Sequence, residues 1–248
     1  MIIKFKNKKN NKIVKIVSIV ILIFLSSFTI YKIYVSNYYY AEDVEDYLKS
    51  NEQVKVKKTK YGYFFDGNYN NTKIIFYPGA KIETKAYAPL LYKIAQIGID
   101  VYLIDMPDRL AIYGIDKADK IINKKPKCNW YMMGHSLGGT MASNYAYKNQ
   151  NKIKGLILLG AYSTKDLSKS NLDILLIYGS NDKILNKEKY KECLKNYPKN
   201  HNEYIINGGN HAAFGNYGKQ NKDGKLETTF SEQQAETIDK IYSMIYGK

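Results

Sequence analysis

Residues 129–148 read NWYMMGHSLGGTMASNYAYK, and the reading of this stretch decides the fold. Its opening, Asn129 to Met133, is a short apolar run that predicts a buried β-strand. Its close, Leu137 to Lys148, predicts a helix. Between them Gly134-His135-Ser136-Leu137-Gly138-Gly139 fits G-x-S-x-G at a strand-to-helix turn, the context that gives the pattern its weight. Attack on an acyl carbon needs a hydroxyl held out on a sharp turn. Glycines two residues either side of Ser136 permit such a turn and a close approach of helix to strand. The helix N-terminus adds positive potential where negative charge would develop.

Outward from this turn, short β-rich runs alternate with helical stretches, the pattern of an α/β sheet. Gln53 to Lys57 and Tyr61 to Phe65 read as an antiparallel opening pair. Lys73 to Tyr77, Asp100 to Ile104, Asn129 to Met133, Gly155 to Leu159, Ile174 to Tyr178 and Glu203 to Ile206 read as strands that are mostly parallel, for eight in all. Helices are expected over Lys85 to Ile97, Ile115 to Asn123, Leu137 to Lys148, Lys187 to Asn196 and Glu232 to Ile245.

A serine hydroxyl is a weak nucleophile without a base, and the base needs an orienting carboxylate. The chain has 3 histidines. His135 adjoins Ser136 on the turn and is expected to pack locally, pointing elsewhere. His201 lies in a Pro/Lys/Asn-rich loop and reads as a surface residue. His211 follows the final strand in Ile206-Asn207-Gly208-Gly209-Asn210-His211, where two glycines let the loop fold back over the strand ends. It is the expected base. Asp182 follows Ile174 to Tyr178 on a tight turn and is the expected acid; Asp173 begins that strand and lies at the wrong edge. The order Ser136, Asp182, His211 is the one this architecture uses. An oxyanion needs two backbone donors. The Leu137 N–H and, after the strand Lys73 to Tyr77, the Ala80 N–H are expected to supply them. Glu83 and Tyr87 are candidate pocket-lining residues.

These segments together resemble the α/β-hydrolase superfamily, and within it the branch called α/β-hydrolase family 5. The resemblance covers about residues 60–248 and is carried by YPGAKIETKAYAPL, DMPDRLAIYG, MMGHSLGGTMAS, GLILLGAYS, IYGSNDKI and GGNHAAFGNYGKQNKDG. It implies an eight-stranded sheet, a Ser-Asp-His triad and no cofactor. It names a reaction type, hydrolysis of ester, amide or thioester bonds through an acyl-enzyme, better than a substrate. Acyl transfer on the same triad and a non-catalytic hydrolase-fold binding protein are the competing readings. Residues 161–172 are few and polar, so an open site without a large lid is expected, suited to small-molecule, lipid or cell-surface esters.

The formal net charge is +15. Nucleic-acid binding is nevertheless not expected, because Arg109 is the only arginine and lysine lacks the bidentate fork that reads phosphates and bases. Cys128 and Cys193 sit in no Cys/His cluster, so neither a zinc site nor a disulfide framework is expected; two free thiols are.

At the N-terminus Lys4, Lys6, Lys8, Lys9, Lys12 and Lys15 precede an apolar run, Ile16 to Tyr31, that continues past Lys32 to Val35. A helix needs about 20 residues to cross the hydrocarbon core. Residues 1–36 therefore read as a basic cytoplasmic segment with an uncleaved signal anchor, residues 37–52 as a linker, and residues 53–248 as the hydrolase domain. The lysines place the N-terminus inside and the domain outside. A secreted form after signal cleavage is the alternative.

Overall fold

The computed structural model describes residues 3–68 and 71–247, with side chains from residue 11 onward. The ends of the expected 1–36 and 53–248 segments, residues 1, 2 and 248, and residues 69–70 lie outside the described residues, as do the side chains of Lys4, Lys6, Lys8 and Lys9. The chain divides into two units, Met1–Tyr38 and Tyr39–Lys248.

The first unit is a single helix, α1 (Ile3–Ser36). Asn11–Ser36 is, among the described residues, the one helix long and apolar enough to cross a membrane. Its 26 residues rise about 39 Å, against about 30 Å of hydrocarbon. Its large apolar side chains are exposed all round, Leu22 at 64% and Phe24 at 69% among them. Such a helix fits a membrane anchor or a signal peptide.

The second unit is built on eight strands: β1 (Lys55–Thr59), β2 (Gly62–Asp66), β3 (Thr72–Tyr77), β4 (Asp100–Ile104), β5 (Asn129–His135), β6 (Gly155–Leu159), β7 (Asp173–Gly179) and β8 (Asn202–Ile206). They form one sheet in the order β1-β2-β4-β3-β5-β6-β7-β8. β2 pairs antiparallel with both β1 and β4, and every later pairing is parallel. This is the mostly parallel α/β-hydrolase sheet expected from the sequence. β3 lies between β4 and β5, so the chain leaves β3 to one side and later returns to the other. In open α/β sheets such a switch in strand order is where ligands bind, at the carboxyl ends of the strands.

The central strands read as nearly continuous apolar runs because both faces of the sheet are covered. Ile74, Phe76, Met133, Ile157 and Leu159 face one buried cluster with Leu90, Leu91 and Ile94 of α2 (Ala88–Gln96) and Ile241 of α6 (Phe230–Tyr246). Ile75, Tyr77, Met132, Leu156 and Leu158 face the other. That cluster includes Ile121 of α3 (Asp119–Ile122), Tyr145 of α4 (Leu137–Lys148) and Tyr190 of α5 (Lys187–Cys193).

Local chemistry adjusts several expected boundaries. The helix expected from Lys85 opens as a 3-10 turn, Thr84–Tyr87, and becomes α-helical at Ala88, with a proline in its first turn. The closing helix begins earlier than expected because Thr229 and Glu232 form a reciprocal capping box. The linker expected over residues 37–52 needs correction from Tyr39 on. Tyr39 bridges Ile82 as a parallel strand residue, the Ala41 N–H donates to Glu83 Oε2 at 2.9 Å, and Val44 is 1% exposed within the core. Scattered apolar and backbone contacts hold this acidic stretch to the domain.

At the amino ends of the strands, Lys73 and Asp100 start β3 and β4 side by side and form an ion pair buried on both partners. Asp100 also accepts the Gly67 N–H at 3.1 Å.

Candidate active site

β5 ends at His135 and α4 starts at Leu137, so a single residue, Ser136, makes the turn. Its backbone is left-handed, φ 53° and ψ −125°, a strained state for a residue with a Cβ that persists only when its surroundings fix it. Here the Ser136 N–H donates to Leu159 C=O at 2.9 Å, and Ser136 C=O accepts from Thr140 N–H at 3.1 Å. A Cβ on Gly138 would sit 2.1 Å from the Tyr77 carbonyl oxygen, so only glycine lets α4 approach the end of β3. Ser136 itself is half-buried.

Asp182 follows β7 and His211 follows β8, both at the same carboxyl edge as Ser136 and both about 1% exposed. Asp182 Oδ1 accepts the Ile184 and Leu185 amides at 2.9 and 2.8 Å, and its Oδ2 lies 2.7 Å from His211 Nδ1. A carboxylate accepts, so His211 Nδ1 donates, and the neutral ring presents Nε2 as an acceptor. Nε2 is buried and makes no hydrogen bond within the protein. Ser136 and His211 both abut the end of β6: Ser136 bonds Leu159, and the next residue, Gly160, packs directly against the His211 ring. The structure thus gathers the three expected triad residues at one rim. Asp173 stands at the opposite end of β7, and His201 is tied to Pro198 C=O at 2.8 Å before β8.

The His211 loop is held by groups that the sequence reading did not single out. Gln233 of α6, fully buried, accepts the Asn210 N–H at 3.0 Å and donates to the Asn210 C=O at 2.8 Å. Asp223 accepts the Ala212 N–H at 2.9 Å on one oxygen and the Lys183 N–H at 3.3 Å on the other, so one carboxylate spans the loops that carry His211 and Asp182. Gln233 lies beside Gln234 and before Thr237, a polar set on the buried face of α6. That misplaced polarity was the signal available.

The loop after β3 carries Ala80. The Lys81 N–H donates to Arg109 C=O at 3.0 Å, and Asp108 and Arg109 are both left-handed, at φ 48° and 57°. Among the described residues neither the Ala80 nor the Leu137 N–H donates to another protein group. Two amide donors, one at the start of α4 and one in this loop, thus remain for a ligand oxygen.

The two expected pocket-lining residues require correction. Tyr87 is fully buried, accepts the Gly79 N–H at 3.0 Å and lies 2.8 Å from His135 Nδ1. It supports the loop from beneath. Glu83 is committed to the Ala41 N–H and to Lys85 at 3.7 Å. His135 packs locally, as expected, but against His211, the expected base, and not away from it: the two ring centroids are 4.4 Å apart. Burial, with His211 beside it, holds the His135 imidazole well below the ordinary histidine value.

Between β6 and β7, residues 161–172 add no helix or strand. A cavity of about 480 Å³ lies beside the His211 loop, lined by Asn210, Asp223, Gly224 and Phe230. A larger one, about 620 Å³, lies among Lys127, Lys152, Lys154 and Lys169. It borders the amino ends of β5 and β6, opposite the rim that carries Ser136. The chemistry of the rim, not cavity size, therefore locates the candidate site. Among the described residues no cluster of three or more His, Cys, Asp or Glu is placed to hold a metal ion. Cys128 and Cys193 are free thiols, and burial raises Cys193.

A family model described as "Alpha/beta hydrolase family" matches residues 73–236. No curated protein matches the chain in sequence. Among solved structures, the chain is similar to a "predicted CIB-like hydrolase" of Thermoplasma acidophilum, at 17% identity and TM-score 0.57 over 76% of this chain and 98% of that one. It is similar to Est1E of Butyrivibrio proteoclasticus, at 14% identity and TM-score 0.56 over 78% and 99%. A soluble variant of monoglyceride lipase from Saccharomyces cerevisiae also matches, at 12% identity and TM-score 0.57 over 84% and 98%. At these identities the likeness is one of fold.

Proposed function

The chain belongs to the alpha/beta hydrolase family, and from that premise we propose that it is a membrane-anchored serine hydrolase that cleaves carboxylic esters through an acyl-enzyme. The observation that carries this reading is the 2.7 Å contact of Asp182 Oδ2 with His211 Nδ1, which leaves Nε2 as a buried acceptor at the strand edge that also carries Ser136 on its strained turn.

In the proposed reaction Ser136 Oγ attacks the acyl carbon while its proton passes to His211 Nε2. Nε2 has no partner within the free protein, and the hydrogen bond from Ser136 forms with substrate in place. Asp182 keeps the His211 proton on Nδ1 and stabilises the imidazolium. The Leu137 and Ala80 amides hold the oxyanion. Collapse breaks the ester C–O bond, and His211 returns its proton to the departing alcohol. Water, deprotonated by His211, then attacks the acyl-enzyme and releases the acid and Ser136. The short 161–172 connection favours small or surface-borne esters. The lysines that precede the apolar stretch of α1 support a domain facing outward, with a lipid or cell-surface ester as substrate.

The test uses the full chain in detergent with a nitrophenyl-ester panel and a serine-directed fluorophosphonate. Turnover of short-chain esters and a label on Ser136 are expected, and S136A removes both. A label that persists in S136A overturns the assignment. Protease added to intact cells is expected to reach the domain; complete protection overturns the orientation.

A further inference from the structure

We propose that Tyr87 and His135 are positioning residues that join the oxyanion loop to the catalytic base, an inference that rests on the serine-hydrolase reading above. A continuous series of contacts supports it. The Gly79 N–H donates to Tyr87 Oη at 3.0 Å, and Oη lies 2.8 Å from His135 Nδ1. The His135 ring lies against His211, with centroids 4.4 Å apart and planes inclined at 47°, and Phe214 closes its other side at 5.6 Å. His211 Nδ1 in turn meets Asp182.

Proton accounting gives this series a direction. A phenol has one proton. Tyr87 Oη accepts from Gly79 on one lone pair. Its proton is assigned to His135 Nδ1 across the 2.8 Å contact, which places the neutral ring's own proton on Nε2. Burial works the same way at both ends, raising the Tyr87 hydroxyl far above its ordinary value and lowering His135. The neutral state matters because His211 becomes a cation in each half-reaction. A second cation against its ring would oppose that proton transfer.

At the other end, the bond from Gly79 to Tyr87 anchors the Pro78–Gly79 peptide, one removed from the peptide that carries the Ala80 N–H, and so restrains the loop that aims it. Neither Tyr87 nor His135 reaches substrate: both are fully buried. Each acts through a neighbour, Tyr87 through the loop and His135 through the base. The deletion of one atom in this series is transmitted to both ends, so the two side chains behave as a unit.

The experiment measures kcat and KM of Y87F, H135F and the double variant on a short-chain ester, with thermal unfolding to verify folding. Both substitutions keep an aromatic ring; Y87F removes the hydroxyl and H135F both ring nitrogens. Each single variant is expected to lose kcat by about 10- to 100-fold, the scale of a small misplacement of reacting groups. KM is expected to stay within about twofold. The double variant is expected to lose no more than the worse single, since the two act together. H135N, whose Oδ1 can accept from Tyr87, is expected to keep more activity than H135F, and it replaces H135F if that variant does not fold. A Y87F enzyme with kcat within about twofold of wild type, or a double variant whose loss is the product of the single losses, overturns the proposal. Absence of fluorophosphonate labelling in the wild type instead overturns the serine-hydrolase reading, and this proposal with it.

Discussion

Gln233 and Asn210 exchange two hydrogen bonds, side-chain amide to main-chain peptide, 3.0 and 2.8 Å long and buried on both sides. Asn210 is the residue before His211, so α6 grips the base loop by its backbone. Gln233→Leu keeps the volume and strands both peptide groups. Each unsatisfied buried group costs about 1 to 3 kcal/mol. A loss of about 2 to 6 kcal/mol in urea unfolding is expected for the two groups, together with a fall in kcat; unchanged stability would contradict this role.

Gly160, at φ 52°, packs against His211 and Asp182. A Cβ there would lie 2.8 Å from His211 Nδ1 and 3.1 Å from Asp182 Oδ2. Gly160→Ala is expected to lower kcat by about 100-fold, with a stability cost of about 1 kcal/mol for alanine at positive φ. Steady-state kinetics beside thermal unfolding separate the two effects.

The meeting of Asp182 and His211 at the strand edge that carries Ser136 was legible in the sequence because so few residues competed for it. With 3 histidines in the chain, position at a strand end sufficed to select His211. The strands were legible because Ile74, Ile157 and Leu176 stand in unbroken apolar runs. Tyr87 and His135 were misjudged for a different reason. Their contact joins the start of α2 to the end of β5, 48 residues apart, and no local pattern encodes which side chains meet across such a separation. The role of residues 39–52 was hidden likewise: Val44 is a single buried apolar residue among acids, without periodicity to reveal it.

His135 makes stability depend on pH. Its folded value lies well below the unfolded one, so above about pH 6.5 both states are neutral and stability is fully present. As pH falls through about 6.5, the unfolded chain takes a proton that the folded protein refuses, and stability is lost toward the folded value. The slope from this one group is at most about 1.4 kcal/mol per pH unit. Urea unfolding from pH 7.5 to 5 is expected to show a decline in the wild type that is shallower in H135F; parallel profiles would sink the attribution.

Lys73 and Asp100 pose a different risk. Lys73→Met removes the partner of a buried carboxylate, which costs about 3 to 5 kcal/mol. Adding Asp100→Asn is expected to recover part of that loss, because the amide carries no charge and can still accept from Gly67. Equal destabilisation in the single and double variants would show that charge is not the cause.

The helix Asn11–Ser36 predicts the behaviour of the chain in membranes. In carbonate-washed membranes the full chain is expected to remain in the pellet at its full mass. A soluble product shortened by about 35 residues would show instead that the segment is cut off, as signal peptides are.

The pairing of Tyr39 with Ile82 sets a limit on trimming. Tyr39 N–H and C=O bond Lys81 and Glu83, immediately after the loop that carries Ala80. Any processing enzyme, or any experimenter preparing a water-soluble version, therefore has a usable boundary just before Tyr39. A product that starts at residue 53 has lost the bridge that pins the chain just after Ala80.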